Sequence, residues 1–144
     1  MSNNELEGNI AIAKMLGWLR QHFAEEFVEV KDVEIVGYLH AFAHLNYART
    51  MTGKYQFSTS ELRFHEDYNW QGLAIDFIHK VGTTPFDVNG SLYSVTVEKD
   101  KCVITNKPTP GTFHCCVQAH TRDAVFSSLV IFAQAFNNNL IPKA

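Results

Sequence analysis

Residues 92–118 read LYSVTVEKDKCVITNKPTPGTFHCCVQ, and this stretch decides the predicted fold. Apolar and polar side chains alternate from Leu92 to Glu98, which is typical of a strand with one buried face. Lys99-Asp100 predicts a turn into a second strand at 101–105. A third strand is predicted at 112–118, and the short links make neighbouring strands antiparallel. We therefore expect an antiparallel meander.

Helices are predicted on both sides of this meander. Apolar residues recur at helical spacing from Trp70 to Val81, and Asp67 or Asn69 can cap that helix. A last helix is predicted to begin at Thr121, a good cap, and to be apolar around most of its surface up to Phe136. Such a helix is either deeply buried or docked on a partner.

A first helix is predicted at about 4–16, with Asn4 as its cap and Glu7 three residues later. Residues 18–60 are harder to interpret. The β-branched runs 27–30 and 33–36 suggest a hairpin, although a helix running into 38–44 is an alternative. The polar residues 49–60 are predicted to be a loop. We expect one α+β domain over 1–144, an antiparallel sheet flanked by about three helices in an α/β/α sandwich-like layering.

Composition limits the function. The 144 residues carry a net charge of -3, and their scattered lysines and arginines form no basic stripe, so extended nucleic acid is not an expected partner. The first residues have no secretion signal, and no stretch is apolar enough to cross a membrane. Three cysteines without a CxxC pair favour a reducing compartment, so a cytoplasmic location is expected.

Three stretches resemble the phage ABA sandwich domain family, which groups small uncharacterised proteins of phages and prophages. They are Leu62-Arg63-Phe64-His65-Glu66-Asp67-Tyr68-Asn69-Trp70 with the helix that follows, the closing segment 124–137, and Ile12-Ala13-Lys14-Met15-Leu16-Gly17-Trp18. Together they cover about half of the chain, and residues 19–60 show no such likeness. The resemblance implies a helix–sheet–helix layering and a phage or prophage origin, in which case the location is the host cytosol. It implies no catalytic residues.

Candidate ligand-binding residues cluster before the second predicted helix. His65, Asp67 and Tyr68 precede or begin it, and Trp70 leads its apolar stripe. The free N–H groups of a helix N-terminus suit an anion, and an aromatic ring can stack on a base. Arg122, at the start of the last helix, could hold a phosphate or carboxylate. Each has an ordinary structural interpretation: Asp67 as a cap, His65 in local hydrogen bonds, Trp70 in the core and Arg122 in solvent.

Metal and nucleophile sites are weaker candidates. His40 and His44 share a helical face, but no glutamate follows His40 and further ligands are distant. His114-Cys115-Cys116 suggests a nucleophile, yet alternate faces of a strand and burial of cysteine favour core packing. Walker, GxGxxG and GxSxG signatures do not occur in the sequence.

We therefore predict a non-enzymatic phage-type accessory protein without a cofactor. It would bind a host protein or a small ligand such as a signalling nucleotide, and so could inhibit a host defence. One alternative is a small enzyme or metal-dependent protein that uses His65 with Asp67, or His40 with His44. Another is an oligomeric structural component, since an apolar last helix could meet a second copy in a homodimer or a higher homo-oligomer.

Overall fold

The computed structural model describes residues 1–42, 53–83, 90–107 and 112–143. Along the chain these residues form α1 (Asn3–Met15), β1 (Leu19–His22), β2 (Glu25–Lys31), β3 (Lys54–Ser58), α2 (Tyr68–Lys80), β4 (Tyr93–Glu98), β5 (Lys101–Asn106), β6 (His114–Gln118) and α3 (Thr121–Asn137). Short 3-10 turns lie at Asp32–Ile35, Leu39–Phe42 and Thr59–Glu61. The expected α+β class with antiparallel strands and three helices is confirmed for the described residues.

The predicted meander is confirmed as the sheet β4-β5-β6, in which neighbouring strands are antiparallel. Along β5, Cys102 and Ile104 are buried, while the residues between them are only partly covered. The buried face lies under α3, where the Ser128 hydroxyl donates to the Cys102 carbonyl at 3.4 Å. Alternation in the sequence thus identified the strands. The apolar face predicted for β4 is confirmed only in part, because Tyr93 is buried but Val97 is 45% exposed.

The first sheet in chain order is also antiparallel, has the strand order β1-β2-β3, and corrects two predictions. The hairpin proposed for 27–30 and 33–36 is wrong, because Asp32–Ile35 is a 3-10 turn and β2 instead pairs with the preceding strand β1. The loop predicted at 49–60 is also wrong in part, because 54–58 form β3. There Tyr55 and Phe57 are buried and their neighbours are not, a period of two that the polar flanks obscured.

The start of α1 differs by a few residues from the prediction. Ser2 is the cap, and its hydroxyl accepts from the Glu5 backbone while the Glu5 carboxylate accepts from the Ser2 N–H. This reciprocal pair is the predicted capping box, displaced by two residues from Asn4 and Glu7. The displacement is within the usual uncertainty of helix ends.

The predicted cap is confirmed for α2, and the predicted cap Thr121 is wrong for α3. Asp67 is the cap of α2, and its carboxylate accepts from the Asn69 N–H at 2.8 Å, as predicted. In α3 the cap is His120, and Thr121 is the first helical residue. The Thr121 hydroxyl donates to the Lys99 carbonyl instead of capping its own helix, which ties α3 to the β4–β5 turn.

The centre of the core is aromatic, and Trp70 occupies it. Its indole is fully buried and stacks on Phe42, with ring centroids 4.4 Å apart. Trp18, Phe57 and Phe64 pack around it at centroid distances of 5.3 to 6.4 Å. Since Phe57 belongs to β3, this cluster joins α2 to the first sheet.

The apolar last helix is buried within the chain. Its Leu129, Phe132 and Ala133 side chains are fully buried. One flank of α3 packs on α1, where a Cβ added to Gly8 would lie 2.7 Å from Phe126. Of the large apolar side chains of α3, only Ile131 is substantially exposed. The helix therefore does not offer the broad apolar face on which the oligomer prediction depended.

Candidate functional site

The residues predicted to bind a ligand do meet at the N-termini of α2 and α3. The guanidinium of Arg122 donates to the Glu66 carbonyl at 2.8 Å and lies 5.5 Å from the centre of the Tyr68 ring. Gln71, which is buried, donates to the carbonyls of Phe64 and Arg122 at 2.9 and 3.1 Å. These contacts join the two helix starts and bring two of the predicted residues, Tyr68 and Arg122, into contact.

Two of the predicted residues have structural roles. The Asp67 carboxylate is engaged as the α2 cap. Trp70 is fully buried, and its indole N–H points to the Ala41 carbonyl at 3.4 Å. In this structure a ligand at the surface does not reach the Trp70 ring, so stacking on a base is not available to it. Of the predicted set, His65, Tyr68 and Arg122 remain accessible in part.

His65 lies beside a polar cleft and is held on both ring nitrogens. The Asn9 side-chain amide is 2.8 Å from its Nδ1, and a Glu66 carboxylate oxygen is 3.6 Å from its Nε2. The cleft has a volume of about 310 Å³ and is lined by Met1, Ser60, Glu61, Leu62, Arg63, His65 and Glu66. An oriented imidazole beside a carboxylate can transfer protons, but this polar lining gives an apolar ligand little surface to pack against.

Of the two histidines of the metal prediction, only His40 lies among the described residues. This residue is exposed on the 3-10 turn Leu39–Phe42, and His44 lies outside the described residues. Within the part of the chain that the structure describes, no three His, Cys, Asp or Glu side chains come together as a metal site.

The cysteines follow the predicted alternation. Cys115 is buried and Cys116 is exposed on the opposite face of β6, while Cys102 is buried in β5. Burial raises the pKa of the Cys102 thiol and of the Cys115 thiol, since a thiolate is poorly solvated there. A nucleophilic cysteine needs a lowered pKa, so these two thiols are core groups.

Thiol labelling tests this arrangement. We expect the folded protein to react rapidly at Cys116 and slowly at Cys102 and Cys115, and all three cysteines to react once the chain is unfolded. Timed reaction with a maleimide, read by intact mass, measures this. A Cys116→Ser variant should lose the fast phase, and two or more fast thiols in the native protein would contradict the assigned burial.

A second hollow lies between α2 and the turns that follow β2, and we call it the Tyr38 groove. Its volume is about 400 Å³. It is lined by Leu16, Trp18, Val33, Glu34, Val36, Tyr38, Leu73, Asp76, Phe77 and Lys80. Val33 and Val36 are 77% and 71% exposed, so apolar surface lies open to solvent at this groove. The lining therefore combines aliphatic and aromatic walls with a few polar groups.

The polar groups of the groove centre on one short hydrogen bond. The Tyr38 phenol donates to an Asp76 carboxylate oxygen at 2.6 Å. The Tyr38 ring also lies over Gly72, where an added Cβ would be 3.4 Å from it, so the ring packs closely on α2. This hydrogen bond raises the pKa of Tyr38, and burial and the nearby negative charge of Asp76 raise it further.

The pKa of Tyr38 is a direct probe of this pair. Replacing Asp76 by asparagine removes the carboxylate charge, and we expect the pKa of Tyr38 to fall toward 10.0, the ordinary value. Because the folded pKa is raised, the stabilisation is complete below about pH 10 and is lost as the pH rises through the folded pKa. NMR of ring-labelled tyrosine measures the shift, and an unchanged Tyr38 titration in Asp76→Asn would contradict the contact.

Sequence reasoning missed the groove because its residues come from three separate segments, 16–18, 33–38 and 73–80. Tyr38 and Asp76 are 38 positions apart and share no local pattern. One signal was present: Asp76 lies on the polar side of the α2 stripe, between Leu73 and Phe77. The apolar stripe of a helix shows which of its residues face the core. It does not show which other segment of the chain packs against the edge of that stripe.

Comparison with models of known protein families, with curated proteins and with solved structures finds no match to this chain. Among the described helices, none has the length and apolar content needed to cross a membrane.

Proposed function

We propose that the protein acts by binding and that the Tyr38 groove holds a small aromatic molecule. The observation that carries this proposal is a hollow lined mostly by aliphatic and aromatic residues, with one tyrosine–aspartate pair among them. Small-molecule sites are typically apolar clefts of about 300–1,000 Å³ in which a few polar groups fix the orientation of the ligand. The groove, at about 400 Å³, has this size and this division of lining residues.

Two other hollows of the described surface fit a ligand less well. A larger one, of about 530 Å³, lies at the β4–β5 turn and is lined by Glu98, Lys99, Asp100, Lys101, Gln118 and Ala119. With one alanine as its only apolar lining residue, it offers no wall against which a ring could pack. The His65 cleft has only Met1 and Leu62 as apolar lining residues, so apolar contact favours the Tyr38 groove.

The charges of the groove select the ligand. Glu34 and Asp76 are acidic and Lys80 is the one basic residue of the lining, so the formal charge is one negative. Lys80 also ends α2, where the helix dipole places partial negative charge. A phosphate group is therefore disfavoured, whereas a ring N–H could donate to Asp76. We propose a neutral or cationic heteroaromatic compound, such as a nucleobase or nucleoside, as the ligand.

A phage or prophage accessory role in the host cytosol remains part of this proposal. Its support is the resemblance of 12–18, 62–70 and 124–137 to the phage ABA sandwich domain family. A protein of this kind could act by sequestering a small signalling compound or by occupying a host protein. The groove favours the first of these, because its dimensions suit a small molecule.

The experiment is titration calorimetry against nucleobases, nucleosides and their monophosphates. We expect a base or nucleoside to bind more tightly than its monophosphate. Replacing Asp76 by alanine should weaken binding about tenfold to a hundredfold, since hydrogen bonds to a charged group contribute about 1.5–3 kcal/mol. Asp100→Ala, at the β4–β5 turn away from the groove lining, is the matched control and should bind as the wild type does. Equal loss in both variants, or tighter binding of monophosphates, would count against this site.

A further inference from the structure

Strand β1 lies at the edge of the first sheet. The order β1-β2-β3 leaves its outer side without a neighbouring strand among the described residues. Gln21 and His22 are exposed, as is Arg20. An open edge presents unpaired backbone groups that a second chain can continue, so natural proteins usually cover or blunt such edges.

The direction of the backbone groups along β1 follows from one hydrogen bond. The Glu29 N–H donates to the Trp18 carbonyl at 2.9 Å, so residue 18 faces β2. Because backbone direction alternates along a strand, the backbone N–H and C=O groups of Arg20 and His22 also point toward β2. The N–H and C=O of Leu19 and Gln21 therefore point outward, away from the sheet. The Leu19 carbonyl accepts there from the Arg20 guanidinium of its own chain at 3.0 Å.

Phe23 stands at the tip of the β1–β2 hairpin and is unusual there. Its side chain is 89% exposed and its backbone has φ of 55°. Two-residue hairpin turns at positive φ favour asparagine or glycine, and a bulky side chain in this region is rare. The hairpin itself does not need a phenylalanine. A solvent-exposed ring kept in an unfavourable backbone region points to a contact that the single chain does not make.

We propose that a second copy of this chain covers the edge, with the two β1 strands paired antiparallel about a two-fold axis at Gln21. In this register Gln21 faces Gln21 of the second copy, and the outward backbone groups of the two residues meet. Phe23 then lies opposite Leu19 of the second copy. Leu19 pairs with the buried Val28 and so lies on the core side of the sheet, which gives the Phe23 ring an apolar surface to cover.

Charge separates this register from its nearest alternative. A two-fold axis at Arg20 would also join outward-facing groups, but it would place two arginines directly opposite each other, which is unfavourable. With the axis at Gln21, Arg20 lies opposite His22 of the second copy. Within the second copy, His22 pairs with Glu25. Arg20 of one copy and His22 and Glu25 of the other would therefore lie side by side across three neighbouring strands. Of these two registers, the one centred on Gln21 is therefore favoured by charge.

This interface is distinct from the homodimer expected from an apolar last helix. That helix is buried within the chain, whereas β1 and the hairpin tip are exposed. The two-fold arrangement makes each contact twice and closes the assembly at two subunits. It would join two three-stranded sheets into one of six strands. The proposal does not depend on the ligand of the Tyr38 groove.

Disulfide trapping tests the register, in a Cys116→Ser background that removes the exposed native thiol. Residues facing each other in a hydrogen-bonded antiparallel pair have Cα atoms about 5.5 Å apart, which a disulfide can bridge. With diamide as the oxidant, Gln21→Cys should form a covalent dimer. Glu26→Cys is the matched control, because Glu26 is also exposed and sits directly beside Gln21 but one strand further from the axis. Cross-linking of Gln21→Cys that is no faster than that of Glu26→Cys would overturn the proposal.

Sedimentation equilibrium tests the contact without a cross-link. We expect the wild type to form a dimer of 16.3 kDa subunits, and Phe23→Gly and Gln21→Pro to be folded monomers. Gln21→Pro removes an N–H that points outward, so its bonds to β2 remain. Leu140→Ala, a 73% exposed apolar residue elsewhere, is the control and should leave the dimer intact. A monomeric wild type would refute the proposed strand pairing. So would a dimer that persists in both Phe23→Gly and Gln21→Pro.

Discussion

Trp70→Ala is expected to lower the free energy of unfolding by about 3–5 kcal/mol, which is a large share of the about 5–15 kcal/mol that holds a typical domain folded. The indole is fully buried and stacks on Phe42 at 4.4 Å. It also contacts the rings of Trp18, Phe57 and Phe64. Removing it leaves a cavity that rings from separate segments cannot all collapse to fill. Urea unfolding followed by circular dichroism measures the change.

Tyr68→Ala is the matched control, because this aromatic residue begins the same helix and is 55% exposed. Its loss should change stability by no more than about 0.5–1 kcal/mol, since it removes mainly an exposed contact with Arg122. A loss of less than about 1 kcal/mol in Trp70→Ala would contradict the central position of the indole in the core.

Gly82→Ala is the second substitution with a large expected effect, a loss of about 2–5 kcal/mol from two causes that add. Gly82 has φ of 82°, where an L side chain costs about 1–2 kcal/mol. An added Cβ would also lie 2.5 Å from Leu92 Cγ, and overpacking of this kind costs about 1–3 kcal/mol. Leu92 is tied down by the bond from its N–H to the Val81 carbonyl at 3.0 Å, so it has little freedom to move away.

Gly17→Ala separates these two causes. Gly17 has nearly the same backbone, with φ of 78°, but an added Cβ there meets no atom within 4 Å. Its variant should lose only the backbone part, about 1–2 kcal/mol. Thermal unfolding of the two variants side by side gives the comparison. Equal losses of stability in the two variants would mean that the Leu92 side chain moves aside to make room for the added methyl group. The close contact between the end of α2 and the start of β4 would then not be rigid.

The sheet β4-β5-β6 and α2 were predictable because the sequence pattern of each element lies within a short stretch of the chain. Alternation from Leu92 to Glu98 and the helical stripe from Trp70 to Val81 each fix an element and its buried face. The cap at Asp67 is local for the same reason. The burial of Trp70 also follows from its place at the head of the apolar stripe, although its ring could be read as a ligand platform from sequence alone.

The first sheet was not predictable in this way. Strand β1 reads LRQH and has three exposed residues of four, so it carries no apolar alternation. Its strand character comes from pairing with β2, and β3 joins from beyond residue 53. Tertiary pairing thus overrides weak local preference.

The candidate site escaped prediction for a related reason. The Tyr38–Asp76 bond joins a turn to a helix across 38 positions. By contrast, the groups gathered near the α2 start, among them Asp67 and Arg122, are adjacent to helix ends and were easy to single out. The structure shows that those two groups largely satisfy helix ends and backbone carbonyls.

The most direct test of the binding proposal is chemical-shift mapping of the isotope-labelled protein with its tightest-binding nucleobase or nucleoside. The account predicts perturbations concentrated at Tyr38, Leu73, Asp76 and Phe77, with the resonances of His65 and Glu66 unchanged. Perturbations concentrated at His65 and Glu66, or none at saturating ligand, would contradict the assignment of the Tyr38 groove as the binding site.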